Sequence, residues 1–289
     1  MKYTFIKANR NTYSTTVLCE VMGVSRRGFY NWLTRPDSSR TIENREFTKI
    51  IDQIFNLNRQ VYGAPRIHKV LLQKGYRCSL NRVARLMHTA HILPKTIKKF
   101  RITTDSRKSL KPAENLLNRQ FSPCIINQVW ACDVTYIPTR EGWLFLAVVL
   151  DLFSRKVIGW SMAERLDSCL AQDALRNAIH QRPVTTVTKG LLIHSDRGKE
   201  YYAKSYQELL NVYGMTCSMS RKGECYDNAV VESFFHSLKV EHVHHNDYHT
   251  RNEARRSLFE YIELFYNRQR KHSYLNYLSP IEFEECHVT

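Results

Sequence analysis

Val129-Trp130-Ala131-Cys132-Asp133-Val134-Thr135-Tyr136-Ile137 is the stretch that decides the fold. Both faces of this strand-forming run are largely apolar, which predicts a central strand covered on its two sides. Asp133 in its middle is costly unless it is ion-paired or bound to a metal. Outward from it, Gln128 to Pro138, Trp143 to Leu150 and Lys156 to Met162 read as three strands. They are separated by the turn-like Arg140-Glu141-Gly142 and Asp151 to Arg155, as in an antiparallel meander. Leu166 to Gln181 then reads as a helix, Leu191 to Asp196 as a strand, Glu200 to Tyr213 as a helix and Met215 to Met219 as a strand. Asp227 to about Glu241 reads as a last helix.

Three strands followed by alternating helices and strands is the order of a ribonuclease-H-like α/β domain. Asp196 closes the apolar strand Leu191-Leu192-Ile193-His194-Ser195, at the strand end where α/β sheets bind ligands. Glu232 lies on the helix whose apolar stripe is Val231, Phe234, Phe235 and Leu238, and it heads a polar stripe with His236 and Lys239. Each carboxylate alone is compatible with a structural part: a salt-bridged aspartate, a turn or cap aspartate, an exposed helix position. Together, two strands and a helix on the sheet can deliver Asp133, Asp196 and Glu232 to one point. Clustered carboxylates repel unless cations neutralise them. Hard oxygen ligands select Mg²⁺ or Mn²⁺, and two such ions suit an in-line phosphoryl transfer.

The rest of the chain supplies a polyanion binder. Lysine and arginine total 43 against 27 acidic residues, a formal net charge of +16, which predicts nucleic acid as partner. Thr15 to Met22, a break at Gly23, and a helix capped by Ser25 and running to Leu33 form a helix-turn-helix pattern carrying Arg26 and Arg27. A second one follows Thr41 to Asn58: Pro65 opens a helix from Arg66 to Lys74, Gly75 ends it, and Ser79 caps a helix to Met87 with Arg82 and Arg85 outward. Residues 94–119 are basic, with Lys98 and Lys99 among those able to track a phosphate backbone. The apolar run Leu144 to Leu150 is far short of the ~20 residues of a membrane span. No signal peptide is visible after Met1, so a cytoplasmic protein with no membrane contact is expected, its eight cysteines reduced and mostly buried.

Trp130-Ala131-Cys132-Asp133-Val134-Thr135-Tyr136, His194-Ser195-Asp196-Arg197-Gly198 and Asp227-Asn228-Ala229-Val230-Val231-Glu232-Ser233-Phe234-Phe235 resemble the three catalytic blocks of the retroviral-integrase-like (DDE) transposases. Thirty-five residues (197–231) separate Asp196 from Glu232, the spacing typical of that superfamily. The run Tyr266-Asn267-Arg268-Gln269-Arg270-Lys271-His272-Ser273 and the following Ser279-Pro280-Ile281-Glu282-Phe283-Glu284 look like the tail of insertion sequence 3 family transposases, second reading frame product. Ser279-Pro280-Ile281-Glu282 also reads on its own as a capping box.

The resemblance implies metal-dependent DNA cleavage and strand transfer at the ends of an insertion sequence, with Asp133, Asp196 and Glu232 as ligands of two Mg²⁺ or Mn²⁺ ions and Lys239 on DNA phosphate. The double-stranded partners would be terminal inverted repeats and target DNA. The resemblance also implies a homo-oligomer on DNA, with an upstream frame product as an optional fusion partner, in a bacterial, nucleoid-associated setting. The organisation expected is a helix-turn-helix-like segment at 1–36, a second such DNA-binding domain at 41–93, a basic linker at 94–121, a catalytic core at 122–245 and a C-terminal helical extension at 246–289. Two departures stand out: Lys199-Glu200-Tyr201 replaces a small polar pair before tyrosine, and Arg221-Lys222-Gly223-Glu224 carries an acid where asparagine or aspartate is common. Neither is expected to touch a ligand carboxylate.

Other signals carry less. His242, His244, His245 and His249 read as a surface stretch or part of a DNA path rather than a transition-metal site. His68, Cys78, His88 and His91 have the wrong spacing for a zinc domain, and Asp151 belongs to a hairpin turn. No phosphate-binding glycine loop is present. The alternative functions are a catalytically inert, sequence-specific DNA-binding protein, which the three intact carboxylates disfavour, and a nuclease that hydrolyses without joining.

Overall fold

The computed structural model describes residues 1–95, 112–182 and 190–287. Lys98, Lys99 and most of the basic connector lie outside them. The chain divides into two compact units, Met1–Gln53 and Ile54–Thr289.

In the first unit, α1 (Lys2–Asn9), α2 (Thr15–Val21) and α3 (Arg26–Thr34) close over Ile6, Leu18, Cys19 and Phe29. The expected helix-turn-helix is α2 and α3. Gly23 turns the chain at φ +59°, and Ser25 caps α3 by accepting the amide of Gly28 at 3.0 Å. α1 is an addition to the sequence reading; a lysine-containing segment with one buried side chain, Ile6, carries little periodic signal. α4 (Ser39–Leu57) begins in this unit.

The second unit opens with the end of α4, then α5 (Ala64–Gln73) and α6 (Leu80–Thr89). Ile67 and Leu71 of α5 and Val83, Leu86 and Met87 of α6 face inward. Ser79 caps α6 through the amide of Arg82, as its position predicts.

The sheet has the order β3-β2-β1-β4-β5, with β1 (Val129–Thr139) in the middle. β2 (Gly142–Asp151) pairs antiparallel to β1 and to β3 (Val157–Ala163), which is the predicted meander. β4 (Leu192–Ser195) runs parallel to β1, and β5 (Thr216–Met219) parallel to β4. One core cluster joins Trp130, Cys132, Val149, Ile158 and Ile193 to Leu170, Ala174 and Ala178 of α7 (Ser168–Gln181). α7 lies so close to β3 that a Cβ at Gly159 would stand 2.3 Å from the Ala174 carbonyl oxygen; only glycine admits this packing. α10 (Ala229–Glu241) buries Val231, Phe234, Phe235 and Leu238 and packs on β1. This is the ribonuclease-H-like α/β order that the sequence predicts, preceded by helical helix-turn-helix-like parts.

Three readings are corrected in detail. The helix expected over Glu200 to Tyr213 is two, α8 (Lys199–Tyr202) and α9 (Lys204–Val212), because Ala203 is extended. The first turn expected for α10 is a 3₁₀ turn, Cys225–Asn228. Of the cysteines, Cys19 and Cys132 are buried, but Cys124, Cys169 and Cys286 are exposed. The C-terminal part adds α11 (Arg251–Phe259), a π-helical continuation over Glu260–Tyr266, and α12 (Pro280–His287). Its capping box forms: the Ser279 amide donates to Glu282 Oε2 at 2.6 Å, and the Glu282 amide to Ser279 Oγ at 3.3 Å. No helix of the described residues is long and apolar enough to cross a membrane.

Candidate active site

The parallel register Cys132↔Ser195 sets Asp133 and Asp196 side by side at the ends of neighbouring paired segments. Asp133 sits mid-strand on β1 and is only partly accessible; its Oδ1 accepts the amide of Val134 at 2.8 Å. Asp196, one residue beyond β4, is likewise half-buried and accepts the amide of Gly198 at 2.9 Å. Glu232 comes from the first turn of α10, on its exposed side. A link through the backbone fastens the start of α10 to β1: Asn228 Nδ2 donates to the Cys132 carbonyl at 3.2 Å.

The electrostatics tie the three together. Asp133 holds its proton well above the usual aspartate range, from burial first and then from the charges of Asp196, Glu232 and Glu200. Asp196 is raised by burial, and Glu232 by burial and then by Asp196. Among the described residues none of the three forms an ion pair with a lysine or arginine. Lys239, two turns along α10 from Glu232, is within electrostatic reach of Asp133, and its Nζ lies 4.8 Å from the centroid of the Tyr136 ring. Burial lowers its proton affinity and Asp133 opposes that.

These donors suit a hard divalent cation. They are mutually repelling carboxylate oxygens, and among the described residues Lys239 is the cation that acts on Asp133. The buried Asn228 Oδ1, beside Cys132, also has no hydrogen-bond partner among the described residues. As the side chains stand, no group of three His, Cys, Asp or Glu among the described residues is drawn tightly enough to hold an ion. Repulsion between carboxylates favours that spread arrangement until a cation compensates it.

The sequence missed a fourth carboxylate. Glu200 on α8 raises Asp133, and Asp196 in turn raises Glu200 after its own burial. A Cβ at Gly198 would stand 2.5 Å from Glu200 Oε1, so the carboxylate folds back over the turn that Asp196 accepts from. The Lys199-Glu200-Tyr201 departure makes no hydrogen bond to Asp133, Asp196 or Glu232 among the described residues, but its charge acts on Asp133. In the other departure, Glu224 pairs with Arg119 at 2.5 Å and Arg221 with Asp227 at 2.9 Å, which is structural.

Apart from His236, the remaining predicted positions lie on other elements. Arg26 and Arg27 are exposed at the start of α3; Arg85 is exposed and Arg82 half-buried on α6. His236 is exposed on α10. Asp151, at the end of β2, is buried and accepts the amides of Asn127 and Phe153; it pairs with Trp130 in the register, not with Asp133. His242 is not a plain surface residue: it stacks on Tyr261 and bonds Ser257.

Residues 42–100 match the HTH-like domain model, and residues 125–225 and 232–287 each match an integrase core domain model. Over 288 residues the chain is 41% identical to the transposase InsF for insertion sequence IS3A of Escherichia coli strain K12, covering 98% of each protein. Over 269 residues it is 42% identical to a 31 kDa protein of insertion element IS600 from Shigella sonnei, covering 93% of this chain and 97% of that one. Among solved structures, the HTLV-2 integrase catalytic core domain in complex with magnesium is 19% identical, with a TM-score of 0.39, covering 55% of this chain and 97% of that one.

Proposed function

The chain belongs to the IS3 family of transposases, and we propose that it cleaves and joins DNA at the ends of its insertion sequence through Asp133, Asp196 and Glu232. The observation that supports this reading is the strand register: it sets Asp133 beside Asp196, and the charge of Glu232 on α10 acts on the same pair, with no ion-pairing lysine or arginine among the described residues. Two Mg²⁺ or Mn²⁺ ions held there would supply activation of a water or 3′-hydroxyl and neutralisation of the leaving oxygen.

The chain's own residues bind and orient. The rigid central strand fixes Asp133, and the Gly198 amide fixes one oxygen of Asp196, so two carboxylates are placed before substrate arrives. Lys239, held over Tyr136, would meet a DNA phosphate beside the reacting centre. The helical segments 1–36 and 41–93 would read the terminal repeats through Arg26, Arg27, Arg82 and Arg85, with the linker 94–121 (Lys98 and Lys99) along the backbone. Residues 122–245 would form the catalytic core and 246–289 its helical extension. The double-stranded DNA would be engaged by a homo-oligomer in the bacterial cytoplasm, on the nucleoid, with or without an upstream frame product fused to it.

The test is Asp196→Asn in a strand-joining assay with Mg²⁺ and a duplex carrying the element's terminal repeat. Cleavage and joining should vanish while repeat binding stays within about twofold. A variant that joins at the parent rate would remove Asp196 from the site. Products that are cut but never joined by the parent would favour a nuclease instead.

A further inference from the structure

A charged recess lies within the Ile54–Thr289 unit, at the far end of α10 from Glu232. A cavity of about 410 Å³ opens between the residues that follow α4 and the C-terminal end of α10, lined among others by Arg59, Lys95, Glu241, His242, His245 and Asn246. We infer that this recess seats a phosphodiester group of duplex DNA, gripped by Arg59 and Lys95. The inference rests on the reading of the protein as a DNA-joining enzyme and extends it to DNA binding outside the catalytic pocket.

The recess is held in shape from both sides. Arg59 and Gln60 are consecutive residues with left-handed backbone, φ +56° and +62°, a conformation that side-chain-bearing residues rarely adopt. Hydrogen bonds keep them there: the Gln60 amide to the Phe55 carbonyl at 3.0 Å, and the Lys95 amide to the Gln60 carbonyl at 2.9 Å. The second bond also fixes Lys95, distant in sequence, against this turn. The Arg59 guanidinium is steadied 5.0 Å from the centroid of the Phe265 ring.

Its chemistry favours an anion over a cation. Glu241 is the acid on the wall, but Arg270 takes both its oxygens at 2.6 and 2.7 Å, Tyr261 donates to it at 2.9 Å and Arg66 stands 3.7 Å away. Carbonyls at the end of α10 are used as well: Leu238 by the His242 amide, Val240 by His245 Nε2, His242 by Asn246 Nδ2. What remains to meet a ligand is the guanidinium of Arg59 and the ammonium of Lys95, since the side-chain donors of Gln60, His245 and Asn246 are spent within the fold. The crowd of positive charge shows in His242, pushed down to about 4 by burial first and then by Arg59, Lys95 and His245. A phosphate oxygen relieves that crowding, and a guanidinium beside an ammonium is a common way of holding one.

The measurement is the salt dependence of binding to a mixed-sequence 30-base-pair duplex, followed by fluorescence anisotropy with the full chain. Each phosphate that a variant no longer neutralises lowers the slope of log K against log[salt] by about 0.9. Lys95→Gln should lower it by about one such step, and the double variant Arg59→Gln/Lys95→Gln by about two. Lys95 makes no side-chain hydrogen bond or ion pair among the described residues, so the single variant keeps the fold if removal of Arg59 disturbs its turn. An unchanged slope in Lys95→Gln, from a parent preparation that still joins DNA ends, overturns the recess alone. A parent with the Lys95-dependent slope that never joins ends overturns the catalytic reading and leaves the recess standing.

Discussion

Asp133 and Asp227 lie next to the two residues that bond α10 to the central strand, and the protein treats them in opposite ways. Asp227 is fully buried and receives five hydrogen bonds: three from Arg221 through its amide and guanidinium, one from Arg119 and one from Asn115. Its carboxyl is held well below the usual range, by Arg221 before any other cause. Asp133 receives one, from the neighbouring Val134 amide, and its carboxyl is pushed up. A carboxylate surrounded by donors is part of the scaffold. One left facing other carboxylates is a cost the fold carries for something it must bind.

The largest effect expected from breaking this contrast is Asp133→Asn. Joining should fall on the order of 10³-fold or more, since a group acting as one of a set removes most of the set's work. The melting temperature in metal-free buffer should stay level or rise by a few degrees, because a buried repulsion is relieved. Adding Mg²⁺ should raise the melting temperature of the parent and leave that of the variant unmoved. A scanning calorimetry series that shows Asp133→Asn strongly destabilised would make Asp133 another Asp227.

Glu241→Gln tests the scaffold side at its most buried. Arg270, 4% exposed, would lose its counter-charge and one of its two oxygen acceptors, and Tyr261 and Arg270 would share the one oxygen left. Breaking one member of such a pair costs about 3–5 kcal/mol, read from urea midpoints. Asp227→Asn should cost less, about 2 kcal/mol, because Arg119 and Arg221 are 41% and 48% exposed and water can recover them. The sign with pH is fixed by the depressed carboxyl. Its contribution is present above the unfolded aspartate value and is lost as pH falls through the lower folded value. Acid titration of stability below about pH 4 should therefore be shallower in Asp227→Asn than in the parent.

How legible these roles were in the sequence follows from how local their signals are. Asp133 stood out because apolar residues flank it on both strand faces, and Asp196 because it ends an apolar run. Glu232 took its place from the helical spacing of Val231, Phe234, Phe235 and Leu238. The five strands themselves showed as β-rich apolar runs between turn residues, and the first three as a meander. The parallel pairing of β1 with β4, by contrast, is non-local and left no mark in the sequence. Asp227, by contrast, looked like an ordinary helix start: Arg119 reaches it from more than a hundred positions away, and no pattern announces that pairing. The Glu241–Arg270–Arg66 group is hidden for the same reason, since it joins α5, α10 and the C-terminal segment. α1 was silent because it buries only Ile6.

Glu200 is the instructive intermediate, visible as a departure but unreadable as a neighbour of the site. On a continuous helix from Glu200 to Tyr213 it would occupy an exposed first turn. The extended Ala203 splits that helix, and the carboxylate comes to lie against Gly198, behind the Asp196 turn. It has no ion-pair partner among the described residues, so it belongs with Asp133 rather than with Asp227. Its charge adds to the field that attracts a divalent cation without standing among the three proposed ligands. At an effective dielectric between that of protein and water, one charge removed several ångströms from the ions is worth about 1 kcal/mol, or roughly fivefold in affinity. Glu200→Gln should therefore raise the Mg²⁺ concentration for half-maximal joining by roughly that factor, with the rate at saturating Mg²⁺ nearly preserved. A loss of the saturated rate as deep as that of Asp133→Asn would make Glu200 a ligand, and an unchanged Mg²⁺ requirement would place it outside the field of the site.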